Sequence, residues 1–308
     1  MTAQAGTGGD SALIKWLRPG KGALVLPPLL FVGVVLALPV AFITLYSVGL
    51  RTNIPGVPTA FSLTDWNDFL VGGGSAFRGR FVYSMEIALF VSVLTTIAAY
   101  PLAYFLSFVA RRRRYALLLL LLAPFFTSYL LRVIAWQIIL NNNGVVNSLL
   151  WTLHLRQHGN AISWLIYSNF SVALVLFYTW IPFVSLPIFV VLENMDHRFQ
   201  EAAADLGASR LTTFWRVTFP LSLPGVIAGF VFVLIPTTGE FITPLLVGGP
   251  NNQLFGNSIQ AFFGDTPNWN YGSVLAIALV AVVIVLTLVF GRFLQTDLRT
   301  ETRPGQWG

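Results

Sequence analysis

Six apolar runs separated by short polar segments dominate the chain: 22–50, 81–110, 115–140, 164–192, 224–247 and 273–293. Each can cross a hydrocarbon core of ~30 Å at ~1.5 Å per helical residue, so each predicts a transmembrane helix. The first run is too long for a signal-peptide core and has no convincing cleavage site, which reads as a retained anchor. Its Pro27, Pro28 and Pro39 are tolerable where neighbouring helices re-satisfy the backbone. Among the polar segments, 51–79 holds a short capped helix at Ser62–Leu70 and the pliable Gly72-Gly73-Gly74. Segment 141–163 opens with Asn141-Asn142-Asn143-Gly144 and carries an amphipathic turn around Val145–Leu155, and 248–272 is a loop rich in Asn and Gly. Pro236, Gly239 and Pro244 break the fifth run, which is the only one markedly so broken near a glutamate.

Composition agrees with this pattern. With 56% hydrophobic and 10% charged residues, the class is an all-α integral membrane protein with six transmembrane helices. Basic residues then orient it. Thirteen of the 18 Lys and Arg fall on one side, in the N-terminal segment, at 111–114, at 193–219, and at Arg292 and in the tail that follows it; Arg51, Arg78, Arg80 and Arg156 fall on the other. Both termini and the 193–219 loop are therefore expected in the cytoplasm, with 1–21 a cytoplasmic segment, 22–293 the membrane domain and 294–308 a cytoplasmic tail. The net charge of +6 follows from this orientation and is no sign of nucleic-acid binding. No cysteine is present, and His154, His158 and His197 are scattered in polar segments, so no metal site is expected.

The most informative polar segment is Glu201-Ala202-Ala203-Ala204-Asp205-Leu206-Gly207-Ala208-Ser209-Arg210, running on to Phe219-Pro220-Leu221-Ser222-Leu223-Pro224-Gly225. Arg198–Leu206 reads as a short helix ended by Gly207 in the left-handed conformation. Ser209 then caps a second short helix through Phe214, which Pro220 closes. This pattern resembles the EAA loop of permeases in binding-protein-dependent ABC importers. The resemblance implies the type I importer permease fold, and it makes this loop the coupling helix that docks on an ATPase through Glu201, Ala202, Ala203, Asp205, Gly207, Ala208 and Ser209.

Further stretches narrow the resemblance. Ala123-Pro124-Phe125-Phe126-Thr127-Ser128-Tyr129-Leu130-Leu131-Arg132-Val133-Ile134-Ala135-Trp136, Asn143-Gly144-Val145-Val146-Asn147 and Ile235-Pro236-Thr237-Thr238-Gly239-Glu240-Phe241 followed by Gly248-Gly249-Pro250 are similar to the spermidine/putrescine permease group. The likeness covers about residues 80–293. It implies a bacterial inner-membrane subunit that forms half of a translocation pathway for a small cation such as a polyamine, by alternating access. The same architecture serving another small amine, opine, amino acid or aminophosphonate stays open. The implied partners are a second permease (a paralogue), two ATPase subunits and an extracytoplasmic binding protein docking at 51–79, 141–163 and 248–272.

The chain has no phosphate-binding G-x-x-x-x-G-K-[ST] loop and no catalytic triad or paired-carboxylate arrangement. No enzymatic activity and no bound cofactor are therefore expected of the chain itself, and the resemblance implies that ATP with Mg belongs to the partner subunits. Ionisable residues inside spans are costly and face partners, cavities or water. At ~1.5 Å per residue, Glu86, Arg132 and Glu240 lie about 9, 12 and 10 Å from the outer end of their spans, in one layer. An ion-pair staple of Arg132 with one of the acids would leave one negative charge over. With Tyr129, Trp136 and Phe241, that surplus would line a cationic substrate's path. An ion-driven secondary transporter remains the second alternative, although it would need paired broken helices that the halves do not display.

Overall fold

The computed structural model describes residues 22–300 except 57, 58, 111, 158 and 197, with side chains assigned from 26 to 292. The N-terminal segment with Lys15, Arg18 and Lys21, as well as Arg111, His158, His197 and tail residues 301–308, lies outside the described residues. Every regular element among the described residues is helical. In chain order these are α1 (Gly22–Ser47), α2 (Thr64–Leu70), α3 (Ser75–Tyr104), α4 (Arg114–Leu122), α5 (Tyr129–Leu140) and α6 (Val145–Thr152). They continue with α7 (Asn169–Glu193), α8 (Arg198–Asp205), α9 (Arg210–Thr213), α10 (Phe219–Thr238), α11 (Phe255–Phe263) and α12 (Trp269–Thr300).

Five stretches are long and apolar enough to cross a membrane: Leu26–Ser47, Ser75–Val109, Asn169–Glu193, Arg210–Thr238 and Trp269–Arg292. Arg114–Phe126 and Tyr129–Thr152 pass the same test only as a pair, bent by 86° at the break between them. The expected straight helix over 115–140 is thus corrected. A 3-10 turn at Ala123–Phe126 ends α4, and Thr127 and Ser128 are extended before α5 begins. Apolar composition is the same on both sides of this break, so hydrophobicity along the chain cannot register it. The third run is thus interrupted as well as the fifth.

Three helices, α3, α7 and α10, pack on one another and form the core, with α12 against α10 and α1 riding on α12. Their contact face mixes apolar residues (Val91, Val175, Leu176, Ile188, Val233) with small hydroxyls. Ser92, Thr95, Ser107 and Ser185 return their hydroxyls to the carbonyl four residues earlier, at 2.6–2.9 Å, so these hydroxyls are satisfied within their own helices. Close approach of α10 to α7 rests on Gly225 and Gly229. A Cβ on Gly225 would lie 2.8 Å from the Pro187 carbonyl, and one on Gly229 would lie 2.9 Å from Val184 Cγ1. Four-residue spacing of small residues is the sequence signal for such packing in a membrane.

Three helix boundaries moved for local reasons. Helix α7 starts at Asn169 because Ser168 and Ser171 form a reciprocal capping box, five residues after the apolar run begins at Trp164. Pro220, expected to close a short helix, instead lies in the first turn of α10. The preceding turn widens to π geometry at Phe214–Thr218, with Phe219 N–H bonding to the Phe214 carbonyl. That wider turn accommodates a ring without an N–H, so the helix runs unbroken from Arg210 to Thr238. Pro236 likewise remains inside α10, and the break falls three residues later at Gly239. Helix α2 begins at Thr64 rather than Ser62, with no side-chain cap on Leu63.

Candidate functional site

At one end of the bundle, residues 194–218 make a knob. Asp196 Oδ1 accepts from Arg198 N–H at 2.9 Å at the start of α8. The helix ends as a paired glycine motif: Gly207 has φ +78°, its N–H bonds to the Ala204 carbonyl at 2.9 Å, and Ala208 N–H bonds to the Ala203 carbonyl at 3.0 Å. Nothing would crowd a Cβ at Gly207, so the need for glycine there is one of backbone conformation. Ser209 Oγ then caps α9, accepting from Thr212 N–H at 3.2 Å. Gln200 Nε2 reaches Thr218 Oγ1 at 3.4 Å and braces α8 against the root of α10.

Glu201, Ala202, Asp205, Gly207 and Ser209 are exposed, while Ala203 and Ala208 are half-buried. A groove of about 530 Å³ runs past Ala203, Gly207, Ser209 and Arg216. Leu206 is 89% exposed and Leu211 68%, which on a polar knob leaves an apolar rim uncovered by the described residues. Beside the knob, Arg114 Nη2 pairs with Glu193 Oε1 at 2.6 Å, and Tyr115 donates to the same oxygen at 2.7 Å. This is the only ion pair among the described residues.

The second cluster lies where α10 ends inside the apolar region. Gly239 closes the helix, and Glu240 turns back on the next segment: its Oε1 accepts from the N–H of Ile242 at 2.9 Å and of Thr243 at 3.0 Å. Asn257 Nδ2, in the first turn of α11, donates to the Phe241 carbonyl at 2.8 Å. Gly256 permits that approach, since a Cβ there would be 2.6 Å from the Gly239 carbonyl and 2.8 Å from that of Glu240. The following π-turn, Pro244–Gly248, is held by Gln137 Nε2 on the Leu246 carbonyl at 2.8 Å and by Ser171 Oγ on the Val247 carbonyl at 2.6 Å. An interrupted helix in lipid must have its backbone groups satisfied from outside, and side chains do that here.

Of the six residues singled out in the membrane, four gather at this break. Tyr129 and Thr243 share a hydroxyl–hydroxyl bond of 2.6 Å, which ties the start of α5 to the segment that Glu240 caps. The Arg132 guanidinium lies 5.7 Å from the Tyr129 ring centroid and 5.9 Å from that of Phe125. Phe241 belongs to the break itself. Trp136, one turn along α5, meets Tyr178 edge-on at 5.4 Å. Glu86 is apart: it is exposed on α3, and no hydrogen bond or ion pair joins it to Arg132 or Glu240 among the described residues. The expected ion-pair staple is thus corrected. Glu240 is engaged with backbone N–H groups, and Arg132 with aromatic faces.

Gln137, Ser171, Thr243 and Asn257 were not singled out from sequence. Gln137 carried a usable signal as an amide within an apolar run. The others are small polar residues whose role appears only when another segment's carbonyl comes within reach.

Residues 69–300 match the family described as binding-protein-dependent transport system inner membrane component. Among curated proteins, the chain is 35% identical over 211 residues to the spermidine/putrescine transport system permease protein PotB of Escherichia coli (strain K12), covering 68% of this chain and 76% of that protein. It is 32% identical over 209 residues to PotB of Haemophilus influenzae, covering 68% and 72%. It is also 29% identical over 225 residues to the inner membrane ABC transporter permease protein YdcU of Escherichia coli, covering 68% and 71%. Among solved structures, the fold is similar to a chain of a bacterial ABC transporter involved in the import of the acidic polysaccharide alginate. The TM-score is 0.66 at 16% identity, covering 89% of this chain and 94% of that one.

Proposed function

Since the chain belongs to the binding-protein-dependent transport system inner membrane components, we propose that it forms half of the pathway of an importer for small polycations of the spermidine or putrescine kind. It is the permease subunit of an ABC importer, a multi-pass inner-membrane protein; it is not an enzyme, and ATP hydrolysis lies in partner subunits. The observation that carries the substrate class is the 35% identity to a spermidine/putrescine permease across 68% of the chain. The aromatic and carboxylate cluster at the α10 break is of a kind that accepts ammonium groups.

In this reading the knob faces the cytoplasm, as the distribution of basic residues favours. Residues Glu201–Ser209 seat in one of two ATPase subunits, with the apolar rim at Leu206 and Leu211 covered on docking. A paralogous permease completes the pathway. A binding protein delivers substrate onto the opposite end, over 51–79, 141–163 and 248–272. Because α9 and α10 are one continuous helical rod from the knob to Gly239, displacement of the knob by the ATPase reaches the Glu240 break without an intervening loop. There the chain bends, and the gate opens to one side or the other.

Titration of the cognate binding protein with putrescine, spermidine, amino acids and an aminophosphonate tests the substrate class, followed by ATP-driven uptake into proteoliposomes. A receptor that selects an amino acid or a phosphonate over both polyamines overturns it. Orientation is read separately, by labelling a thiol placed at residue 201: access from the exterior of cells would contradict the topology.

A further inference from the structure

Arg132 is held in an uncommon way for a cation at membrane depth. Its guanidinium carbon sits within 6 Å of two ring centroids, those of Phe125 at 5.9 Å and Tyr129 at 5.7 Å. Among the described residues it has no ion pair, and its buried Nε has no hydrogen-bond acceptor. A guanidinium facing hydrocarbon is costly, so the half-buried head of Arg132 faces a water-filled cavity or protein. Attraction to ring faces alone holds a cation less firmly than a desolvated pairing with a carboxylate. The nearby carboxylate, Glu240, has Oε1 committed to two backbone N–H groups. Arg132 is therefore restrained by contacts that another cation can replace.

The same contacts are those an incoming ammonium would use. Tyr129 joins its ring to Arg132 and its hydroxyl to Thr243, the residue whose N–H Glu240 caps. Guanidinium, aromatic pair and carboxylate thus follow one another across the junction of the two helix breaks.

We propose that Arg132 is a tethered cation that occupies this aromatic site in the absence of substrate, bars small inorganic cations from the pathway, and gives way to a polycation. A tethered positive charge beside a confined pathway repels a monovalent ion that brings nothing to offset it. A polyamine engages the rings and Glu240 with several ammonium groups and displaces the side chain. The displacement step rests on the polycation reading above; the exclusion step does not.

The chain contains no cysteine, so Arg132→Cys places a single thiol in this subunit. The test uses the complete complex, with the partner subunits' thiols replaced, in liposomes loaded with a potassium-sensitive dye. Substrate-free Arg132→Cys complex should leak potassium about tenfold faster than the unaltered complex, either without nucleotide or trapped with vanadate. Treatment with 2-aminoethyl methanethiosulfonate restores a positive charge and should close the leak. Methyl methanethiosulfonate adds bulk without charge and should not. Arg132→Lys should stay tight, and Arg132→Gln should leak, which preserves the comparison if the thiol variant does not assemble. A tight Gln or Cys complex, a leak that the neutral reagent stops equally, or a leaking Lys variant overturns the proposal. If the unaltered complex does not transport spermidine, the polycation reading falls while the leak measurements still decide the exclusion step.

Discussion

The two helix breaks inside the apolar region are built differently. At the α10 break, Glu240, Asn257, Gln137 and Ser171 supply partners to the freed backbone, and Gly256 lets α11 come close enough to help. At the α4–α5 break, local support comes from Thr127, whose hydroxyl returns to the Pro124 carbonyl at 2.7 Å, and the nearby Arg132 keeps an unsatisfied Nε. One break is fastened from several elements; the other is fastened mainly by itself. Tyr129 bridges them through Thr243. Segments with few external restraints move first when force is applied, so the α4–α5 elbow is the compliant side of the junction and the Glu240 turn the stiff side.

The sharpest way to break this contrast is to unfasten the stiff side. Glu240→Ala leaves two part-buried N–H groups without their acceptor and should cost about 2–3 kcal/mol, read as loss of assembled complex or a lowered unfolding midpoint in detergent. Glu240→Gln retains an acceptor oxygen and should assemble, but with uptake of a dication reduced; unchanged uptake would remove the charge of Glu240 from the pathway. Gly256→Ala, forced against two carbonyls, should cost about 1–3 kcal/mol by the same thermal assay. Tyr129→Phe removes the bridge alone, with an expected loss of about 1 kcal/mol and altered coupling between ATP hydrolysis and uptake. A larger loss from Tyr129→Phe than from Glu240→Ala would invert the assignment of stiff and compliant sides.

A control lies outside both breaks. In α2, burial and, secondarily, the charge of Asp68 push the carboxyl of half-buried Asp65 above its usual value of 3.8. A raised value means that the folded state binds the proton more readily. The ionised form therefore costs stability above the folded-state value, and that cost fades as pH falls through it toward 3.8. Asp65→Asn should thus stabilise slightly at neutral pH, by under about 0.5 kcal/mol once solvent screening is allowed for, and flatten that part of the pH profile. Destabilisation at neutral pH would count against the burial explanation.

Much of the molecule was legible in the sequence, because the strongest demand on it is local. Apolar length reports each crossing, the Gly207 turn and the Ser209 cap follow from residue type, and Glu201–Ser209 emerges as a knob for the same reason. Local reading failed where the answer lay in another segment. Pro220 did not end a helix, since a π-turn before it absorbed the missing donor. Arg132 did not pair with an acid: it lies against the Phe125 and Tyr129 rings, and Glu240 Oε1 caps the backbone of Ile242 and Thr243. The 86° elbow at Thr127–Ser128 left only Pro124 and a Thr-Ser pair as a mark, inside a run whose length alone reads as a single helix.

The order of hydrophobic and polar residues alone determined that this chain is a multi-pass membrane protein of apolar helices and that it projects a short helical hairpin from one end. Lipid offers the backbone no hydrogen bonds, so each pass had to be helical and of sufficient length. Only the packed structure decided where the helices could be interrupted and which side chains guard the interruptions. Those choices depend on a carbonyl or an N–H of a distant segment arriving within about 3 Å, a distance that no single stretch of sequence contains.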